Sequence, residues 1–354
     1  MKRIVLLYGG RSREHQISCL SARSVLEVLD RQQYEVLPVG ITRDGRWTLT
    51  DGRIAPIIDG VLPEVADDGP TVALVGTRRG PRLVQVDDGD GVTAALGGID
   101  IAFPLLHGPY GEDGTVQGLL TTVGVPFVGA GVTASSIGVD KAAMKASFAA
   151  RGLPQGGYLA VHRSRWETEA AGVVAEVTER LPTPWFTKPV RQGSSIGISK
   201  VTDVAGLPDA MAEAYDHDDV VVIEEGFADA RELEVGVLGH EQLEVTRPGE
   251  IVSDHEFYDF EAKYLSASQL RIPADVSADV ERRIDELARL AYRAIGCRGM
   301  ARVDFFADRA GRVVVNEINT IPGFTPSSMF PQLWAAEGLD YRGLIDRLLT
   351  DAMV

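Results

Sequence analysis

The sequence predicts a protein of the α/β class that becomes an α+β mixture in its later part, and three observations support this. An apolar run at 4–8 is followed by helical spacing over 18–29 and a second strand at 36–41, as in a βαβ unit. A further buried strand at 99–106 again leads into a helix, over 116–123. Near residue 130 the pattern changes to short β-rich runs separated by glycine-rich turns, which indicates a second kind of architecture.

Length and composition describe a multidomain globular protein. A chain of 354 residues is too long for one ordinary core, and 45% hydrophobic with 24% charged residues is typical of a globular enzyme. The net charge of -16 argues against a nucleic-acid surface, which needs clustered Lys and Arg. We therefore expect a small-molecule enzyme and no nucleic-acid partner.

The cysteines and the chain start bear on location. Cys19 and Cys297 are far apart and fit no zinc spacing, so we expect buried, reduced thiols in a cytoplasmic protein. The first apolar run stops at Gly9, short of a secretory signal, and no apolar stretch approaches membrane-spanning length. The sequence thus predicts neither export nor membrane insertion.

The first 129 residues contain two loops suited to a ligand. In a parallel sheet, ligands gather beyond the carboxyl ends of the strands, where Arg11, Arg13, Glu14 and His15 fall. The G-x-G-x-x-G dinucleotide pattern is absent. The second loop follows the strand at 99–106 and begins at His107; its acids at 112 and 113 serve either a ligand or merely the start of the next helix. Residues 50–98 are predicted to be a surface hairpin insertion without chemistry, and a strand at 125–128 and a helix at 140–150 follow.

The middle of the chain carries features suited to a nucleotide. A strand at 185–189 and a return strand at 198–201 enclose a turn at 191–197, rich in glycine and hydroxyl groups, that can wrap phosphate without being a Walker loop. Lys141 and Lys188 can each offer an ammonium group to phosphate or be solvated surface charges. The strand at 220–223 runs into Glu224, which fits a purine slot or an interdomain linker. The aromatic and charged loop at 255–265 either packs as a core flap or closes over a site as a lid.

A predicted hairpin near the carboxyl end unites three oxygen-bearing side chains. Strands at 300–306 and 312–319 flank a turn signal at 308–311, after a helix at 280–294 and before a terminal helix. Side chains alternate along a strand, so Glu317 and Asn319 share one face and Asp304 can lie beside them. Two carboxylates and an amide suit Mg²⁺, although a hairpin with solvated acids fits the same residues.

Five motifs, in order, resemble those of the D-alanine:D-alanine ligase family, a branch of the ATP-grasp superfamily. They are Gly9-Gly10 with 14–18, then 107–114 with its His-Gly and Gly-Glu-Asp-Gly, then Lys188-Pro189 with Gly193-Ser194-Ser195, then 261–264 (Glu-Ala-Lys-Tyr), then 316–323 (Asn-Glu-Ile-Asn-Thr-x-Pro-Gly). The resemblance extends nearly end to end, with only 50–98 and the last few residues uninformative.

The resemblance implies a three-domain ATP-grasp protein. Its Rossmann-like amino-terminal domain would span 1–129, its central domain 130–225, and its carboxyl-terminal domain 226–354, with a lid loop near 255–268. ATP would lie between the sheets of the last two domains. It would activate one D-alanine as an acyl phosphate for attack by the amine of a second, to make a peptidoglycan precursor. A homodimer is also implied.

The resemblance implies a role for each matching residue in the nucleotide site. Mg²⁺ or Mn²⁺, with two ions expected, would be held by Asp304, Glu317 and Asn319. The ATP site would comprise Lys141, Lys188, Ser195, Glu224, Glu225, Phe227 and Glu232, with Glu224 accepting from the adenine amino group and Glu232 holding the ribose. Glu225 stands where the family often has Lys, but the implied contact there uses backbone atoms.

The amino-acid site is implied in the same way. Glu14 would take the ammonium of the first D-alanine with His107 near its carboxylate, and Arg302 would reach the developing oxyanion. Ser194 and Tyr264 match a hydrogen-bond network with Glu14, and Lys263 belongs to the same lid. The second substrate would meet Gly323, Ser328 and Met329; the last stands where Leu is common and is similar in volume.

Three alternatives remain open. A D-alanine:D-lactate ligase uses the same site with a hydroxy acid, although Lys263-Tyr264 resembles the dipeptide-forming lid. A non-catalytic ATP-binding regulator would keep the fold, and D-alanine-dependent phosphate release distinguishes it from an enzyme. An ATP-grasp ligase for another amine is the third, because pocket volume is not readable from sequence.

Overall fold

The computed structural model describes residues 1–87, 91–227, 230–252, 269–308 and 311–353. Its strands are β1 (Lys2–Gly9), β2 (Tyr34–Ile41), β3 (Trp47–Leu49), β4 (Val72–Thr77), β5 (Gly80–Val86), β6 (Val92–Gly98), β7 (Ile101–Pro104), β8 (Tyr158–His162), β9 (Trp185–Pro189), β10 (Ser199–Val201), β11 (Val220–Glu225), β12 (Arg231–Gly239), β13 (Leu243–Val245), β14 (Gly249–Val252), β15 (Gln269–Arg271), β16 (Gly299–Ala307) and β17 (Val313–Asn319). Its helices are α1 (His15–Val28), α2 (Thr115–Val123), α3 (Val132–Val139), α4 (Lys141–Ala150), α5 (Arg163–Arg180), α6 (Leu207–Tyr215), α7 (Ala278–Ala294), α8 (Met329–Ala336) and α9 (Tyr341–Asp351). None of these helices combines the length and apolar character needed to cross a membrane.

The amino-terminal sheet has the order β3-β2-β1-β7, and β1 pairs in parallel with both β2 and β7. The middle of β1 is fully buried because helix α1 and the carboxyl-terminal helices cover one face, while the insertion and α2 cover the other. The predicted βαβ start is confirmed. This arrangement sends the loops after β1 and β7 to the same sheet edge, which carries Glu14 and His107.

Two details of the amino-terminal part differ from the sequence prediction. The insertion forms a three-stranded sheet, β4-β5-β6, rather than a hairpin, and Val72 and Leu83 are buried against Val5 and Leu7 of β1. The small, weakly alternating side chains of β6 conceal it in the sequence. The strand predicted at 125–128 is wrong, because that segment makes only one isolated bridge, from Phe127 to Ala102.

The central sheet is antiparallel, with the order β10-β9-β11-β8. Strand β9 has the predicted bounds, and β10 and β11 lie within two residues of theirs. Helices α5 and α6 pack on this sheet around the buried Trp185, and neither was predicted from the sequence. Their apolar faces are interrupted by charged residues, so their spacing gives a weak helical signal.

The carboxyl-terminal sheet has the order β15-β14-β12-β16-β17, with β13 also paired to β12. Amphipathic helix α7 covers one face with Ile284, Leu287 and Ala291, and Ser277 caps its start by accepting from the Val280 amide at 3.3 Å. The hairpin of β16 and β17 is confirmed. The predicted terminal helix is confirmed as α9, and a second helix, α8, was not predicted; the two are separated at Gly338, whose φ is +89°.

The carboxyl-terminal helices α8 and α9 pack between the carboxyl-terminal sheet and the amino-terminal sheet. Phe324 is fully buried between Phe103 of β7 and Phe330 of α8, with ring centroids 5.7 and 6.2 Å away. Tyr341 of α9 donates to the Phe324 carbonyl at 2.6 Å. The loop 319–328 is thereby held against the edge of the amino-terminal sheet, where the candidate site lies.

Candidate active site

A cavity of about 510 Å³ opens where the amino-terminal sheet edge, the 191–197 loop and the β16–β17 hairpin meet. Ten of the residues predicted for the site line it: Glu14, His107, Lys141, Ser194, Arg302, Glu317, Asn319, Gly323, Ser328 and Met329. These residues come from widely separated parts of the chain. Residues 263 and 264, predicted for the lid, lie outside the described residues.

Glu14 is the buried acid at the amino-terminal side of the cavity. It precedes α1, and its carboxylate accepts a hydrogen bond from the Ser194 hydroxyl. Ser194 and Ser195 both have left-handed φ, 48° and 59°, an unfavourable conformation that is found mainly at functional sites. The twist of this loop brings Ser194 toward Glu14.

Gly108 makes room for that carboxylate. Its φ is +72°, and a Cβ atom built there would lie 2.6 Å from Oε2 of Glu14. Only glycine satisfies both the backbone conformation and the close approach. The His-Gly pair of the loop therefore has a steric purpose that its spacing alone did not reveal.

His107 is buried at the base of the same loop. Its Nε2 lies 3.1 Å from the Ser21 hydroxyl, and its Nδ1 lies 3.2 Å from the Ile321 carbonyl and 3.5 Å from Glu112. Burial by itself lowers the pKa of the imidazole, but Glu112 and Glu14 outweigh it and the pKa is raised. Burial also raises the pKa of Glu112, which the charge of Glu14 reinforces and His107 opposes. The cavity wall thus carries a histidine disposed to be cationic.

The hairpin places four polar side chains opposite one another. Asp304 pairs with Glu317 and Arg302 pairs with Asn319 in the antiparallel register, next to a bulge between Asp304 and Phe305. Arg302 donates to both oxygens of Asp304 at 2.7 Å and lies 2.9 Å from Glu234. Burial lowers the pKa of this guanidinium, yet the adjacent carboxylates of Asp304 and Glu234 raise it well above its usual value. Arg302 is therefore a fixed cation at the cavity wall.

The chemistry of this donor set fits a hard divalent cation. The described residues contain no cluster of three or more His, Cys, Asp and Glu side chains around one point, so an ion here needs the amide of Asn319 and outside oxygens. The Asn319 Oδ1 accepts from the Ile321 amide at 2.9 Å, which orients it and leaves one lone pair.

Three lysines and Glu224 form a buried charge cluster beside the cavity. Lys188 lies 3.0 Å and Lys145 lies 3.4 Å from different oxygens of Glu224, while Lys141 donates to the Gln192 carbonyl at 2.6 Å. Burial raises the pKa of Glu224, but the lysines outweigh it and lower the pKa to about 2. Burial and the other ammonium groups lower the pKa of Lys141, whereas Glu224 outweighs burial and raises that of Lys188.

The remaining predicted nucleotide residues lie around the end of β11. The Glu225 amide donates to the Gly157 carbonyl at 3.0 Å, and the ring of Phe227 stacks on Phe306 with centroids 5.3 Å apart. Glu232 is exposed on β12, two residues before Glu234. They occupy one region but do not line the described cavity.

The other end of the cavity lies at the start of α8. Ser328 occupies the cap position, but its hydroxyl interacts with the Thr325 amide at 3.1 Å and the Thr325 hydroxyl at 2.8 Å instead of capping the helix. Gly323 lies beside Ser328, and Met329 is buried below. Free amides at a helix start, with a nearby hydroxyl, suit a carboxylate.

Three site residues were missed in the sequence. Lys145 follows Lys141 by four residues on a helix, a spacing that places both on one face. Glu234 lies two residues after the predicted Glu232, on the same face of the strand, and Glu112 was one of two loop acids without an assigned partner. Only the first had a usable signal, because the other two depend on contacts between distant segments.

The fold and the site define a nucleotide-dependent ligase class, with a mostly parallel amino-terminal sheet, two antiparallel sheets and a charged cavity between them. The family model "D-ala D-ala ligase N-terminus" matches residues 3–130, and "D-ala D-ala ligase C-terminus" matches residues 147–350. The chain belongs to the D-alanine–D-alanine ligase family.

Curated relatives and solved structures agree with this assignment. The chain is 46% identical to the D-alanine–D-alanine ligase of Paenarthrobacter aurescens, covering 98% of this chain and 94% of the relative. It is 48% identical to that of Kineococcus radiotolerans, covering 99% and 96%. Among solved structures, the VanG D-Ala:D-Ser ligase from Enterococcus faecalis has a TM-score of 0.83 at 32% identity, covering 99% of both chains. The D-alanine–D-alanine ligase from Coxiella burnetii has a TM-score of 0.82 at 30% identity, covering 99% and 94%.

Proposed function

We propose that this enzyme joins two D-alanines into D-alanyl-D-alanine with ATP, releasing ADP and phosphate and supplying a peptidoglycan precursor. The observation that carries the proposal is the lining of the cavity. It combines a buried acid for an ammonium group (Glu14), a fixed guanidinium (Arg302) and an acidic hairpin (Glu317) within about 510 Å³. A cavity of this kind accepts small zwitterions and a phosphate chain together.

In the first step a carboxylate oxygen of the first D-alanine attacks the γ-phosphorus of ATP. A P–O bond forms, the bond to the β-phosphate oxygen breaks, and ADP leaves with that electron pair. Glu14 holds the substrate ammonium, and His107 stands near its carboxylate. Lys141 and Lys188 offset the phosphate charge, because phosphoryl transfer depends mainly on positioning and electrostatic stabilisation.

A divalent cation fits the hairpin. Asp304, Glu317 and Asn319 would hold Mg²⁺ or Mn²⁺, as one or two ions, and Ser195 belongs to the loop beside the phosphates. When bound, such ions supply neutralisation of phosphate charge. At the other end of the nucleotide, Glu224, Glu225 and Phe227 would receive the adenine and Glu232 the ribose.

In the second step the amine of the second D-alanine attacks the acyl carbon of the acyl phosphate. The C–N bond forms, the C–O bond to phosphate breaks, and the amine loses one proton as the amide appears. Arg302 faces the oxyanion that develops on the acyl oxygen. Ser328 and Gly323 receive the carboxylate of this substrate, and Met329 forms the apolar wall beside its methyl group.

We extend the proposal to the assembly around the site. Three domains, 1–129, 130–225 and 226–354, are supported by the separate sheets and by family models that divide between residues 130 and 147. Membership of the family supports a homodimer, a cytoplasmic location and the predicted lid near 255–268 with Lys263 and Tyr264. The lid lies outside the described residues.

A product assay tests the proposed function against the alternatives. Pure enzyme receives ATP, Mg²⁺ and D-alanine, with D-lactate or D-serine as competing second substrate, from mildly acidic to mildly alkaline pH. The D-serine arm is included because the Enterococcus faecalis neighbour is a D-Ala:D-Ser ligase. We expect D-alanyl-D-alanine to dominate, and a depsipeptide or a D-serine product prevailing throughout the pH range would overturn the assignment.

A further inference from the structure

Lys145 is a buried cation without a role in the steps above. It is 2% exposed and projects from the second turn of α4, four residues after Lys141. Asp140 caps this helix by accepting from the Ala143 amide at 2.9 Å, which fixes where the helix begins. Residues four apart lie on one face, so Lys141 and Lys145 point to the same side, one turn apart.

The surroundings of Lys145 hold its side chain in one place. Its ammonium lies 5.5 Å from the ring centroid of Tyr158 and 3.4 Å from Oε1 of Glu224. The backbone carbonyl of Lys145 accepts a hydrogen bond from the side-chain amide of Gln155 at 2.8 Å, which holds this turn of the helix. A buried ammonium is costly unless it is paired, and here a carboxylate and an aromatic face supply the compensation.

The same contacts hold Glu224 from two sides. Lys188 reaches Oε2 at 3.0 Å from the neighbouring strand, so each carboxylate oxygen has its own ammonium partner. A carboxylate fixed at both oxygens keeps one plane and retains free lone pairs on each oxygen. An adenine amino group approaching Glu224 would thus find an acceptor already in position, which reduces the ordering cost of binding.

We propose that Lys145 is a positioning residue of the nucleotide site, which fixes the Glu224 carboxylate so that it accepts from an adenine amino group. This inference depends on the proposed contact between Glu224 and adenine. It predicts selectivity as well as affinity, because guanine carries an acceptor oxygen where adenine carries an amino donor. A well-placed carboxylate repels that oxygen, and a loosely held one does so less.

The test is the Kd for ATP, measured by calorimetry without D-alanine, for Lys145→Met, Glu224→Gln and the double variant. We expect Lys145→Met to raise the Kd about tenfold, as expected for one charged hydrogen bond. Glu224→Gln should also raise the Kd about tenfold. The double variant should bind ATP no more weakly than Glu224→Gln alone. In turnover, Lys145→Met should raise the KM for ATP, lower the preference for ATP over GTP and change kcat by less than about threefold.

Controls separate this role from a structural one. Lys2→Met makes the same substitution at an exposed position of β1 and should leave the Kd unchanged. Lys145→Arg keeps the charge and should stay within about threefold of the parent, whereas Lys145→Gln should not, so this pair decides the matter if the methionine variant does not fold.

Each outcome has one meaning. An unchanged Kd in Glu224→Gln removes Glu224 from the proposed nucleotide site, and the inference falls with it. If Glu224→Gln raises the Kd for ATP but Lys145→Met leaves it unchanged, the inference about Lys145 is overturned and the proposed role of Glu224 stands. Additive losses in the double variant, with the ATP over GTP preference intact, would show that Lys145 only supports the fold.

Discussion

The Ser194 hydroxyl donates a hydrogen bond to the carboxylate of Glu14, a residue 180 positions earlier in the chain. The bond joins the phosphate-suited loop to the acid proposed for the substrate ammonium. We therefore expect the ordering of this loop and the binding of the first amino acid to be coupled through one carboxylate. The predictions below concern this carboxylate, the groups around it and the hairpin that faces it.

Replacing Glu14 with Gln should weaken the binding of the first D-alanine more than the binding of ATP. The amide keeps the shape and one acceptor but loses the charge that pairs with an ammonium, worth about 1.5–3 kcal/mol. The KM for D-alanine should therefore rise at least about tenfold, while the Kd for ATP stays nearly constant. Glu27→Gln, at an exposed position of α1, is the control, and equal effects of the two variants would remove Glu14 from the site.

Gly108→Ala should damage the same subsite by steric conflict. The new Cβ would lie 2.6 Å from Oε2 of Glu14 and 3.2 Å from Cβ of Ser12. We expect a loss of about 1–3 kcal/mol in kcat/KM for D-alanine. Gly152→Ala has a closely similar φ, +71°, but open space around it, so it reports backbone strain alone. If both variants lose activity equally, the collision with Glu14 is not the cause.

Stability should depend on the neutral form of His15. Its Nδ1 bonds the Gly10 carbonyl at 2.6 Å, and its Nε2 accepts from the Val65 amide at 3.1 Å, so protonation destroys an acceptor. Burial lowers the pKa of His15, and the unfolded chain therefore binds the proton more readily. Its stabilising contribution is complete above the unfolded pKa of about 6.5 and is lost as pH falls toward and through the folded pKa.

Thermal unfolding at pH 7.5 and 5.5 checks this expectation. The destabilisation caused by His15→Gln should be larger at the higher pH and shrink at the lower. His240→Gln, at an exposed position, provides the matched comparison. A His15→Gln penalty that grows on acidification would contradict the assigned neutral state.

Arg302→Lys should lower kcat with little effect on ATP binding. Lysine keeps the charge but cannot contact both Asp304 oxygens and Glu234 with one planar group. We expect a loss of about 10²–10³ in kcat, the size seen when one donor to a developing oxyanion is removed. Pre-steady-state kinetics should place the defect after acyl phosphate formation, and a defect in phosphoryl transfer alone would assign Arg302 to the nucleotide instead.

The β16–β17 hairpin shows how much of the candidate site could be predicted from the sequence. Its turn signal and two alternating strands are local features, so Asp304, Glu317, Asn319 and Arg302 were correctly placed on one face. The pairing of Arg302 with Glu234 was missed because it depends on the neighbour β12, which local spacing does not specify. Lys145 was missed although its spacing from Lys141 places both on one helix face; its partner, Glu224, lies in a distant segment of the chain.

Fold prediction followed the same rule. Strands with continuous apolar runs, such as β1 and β11, were found because burial on both faces leaves a clear pattern. Strand β6 consists of small and exposed residues and is defined by its pairing with β5, so its sequence alone indicates no strand. Helix α5 has few buried residues, chiefly Val173 and Val177, which is too short a periodic signal to identify.

Glu317→Gln should cost at least about 3 kcal/mol in transition-state stabilisation, by comparison with other single electrostatic groups. The substitution removes one of the carboxylates proposed to hold the cation and leaves the strand register intact. Parallel titration of Mg²⁺ should show a weaker apparent affinity for the ion. Glu337→Gln, away from the hairpin near the end of α8, is the control, and near-normal turnover of Glu317→Gln would remove Glu317 from the site.

The most direct test of the central claim is the ratio of phosphate released to D-alanyl-D-alanine formed by the pure enzyme with ATP and Mg²⁺. We predict one phosphate for each dipeptide, and almost no phosphate when D-alanine is omitted. Phosphate release that proceeds equally without D-alanine, or no release with it, would contradict a ligase that activates a D-alanine carboxylate through ATP.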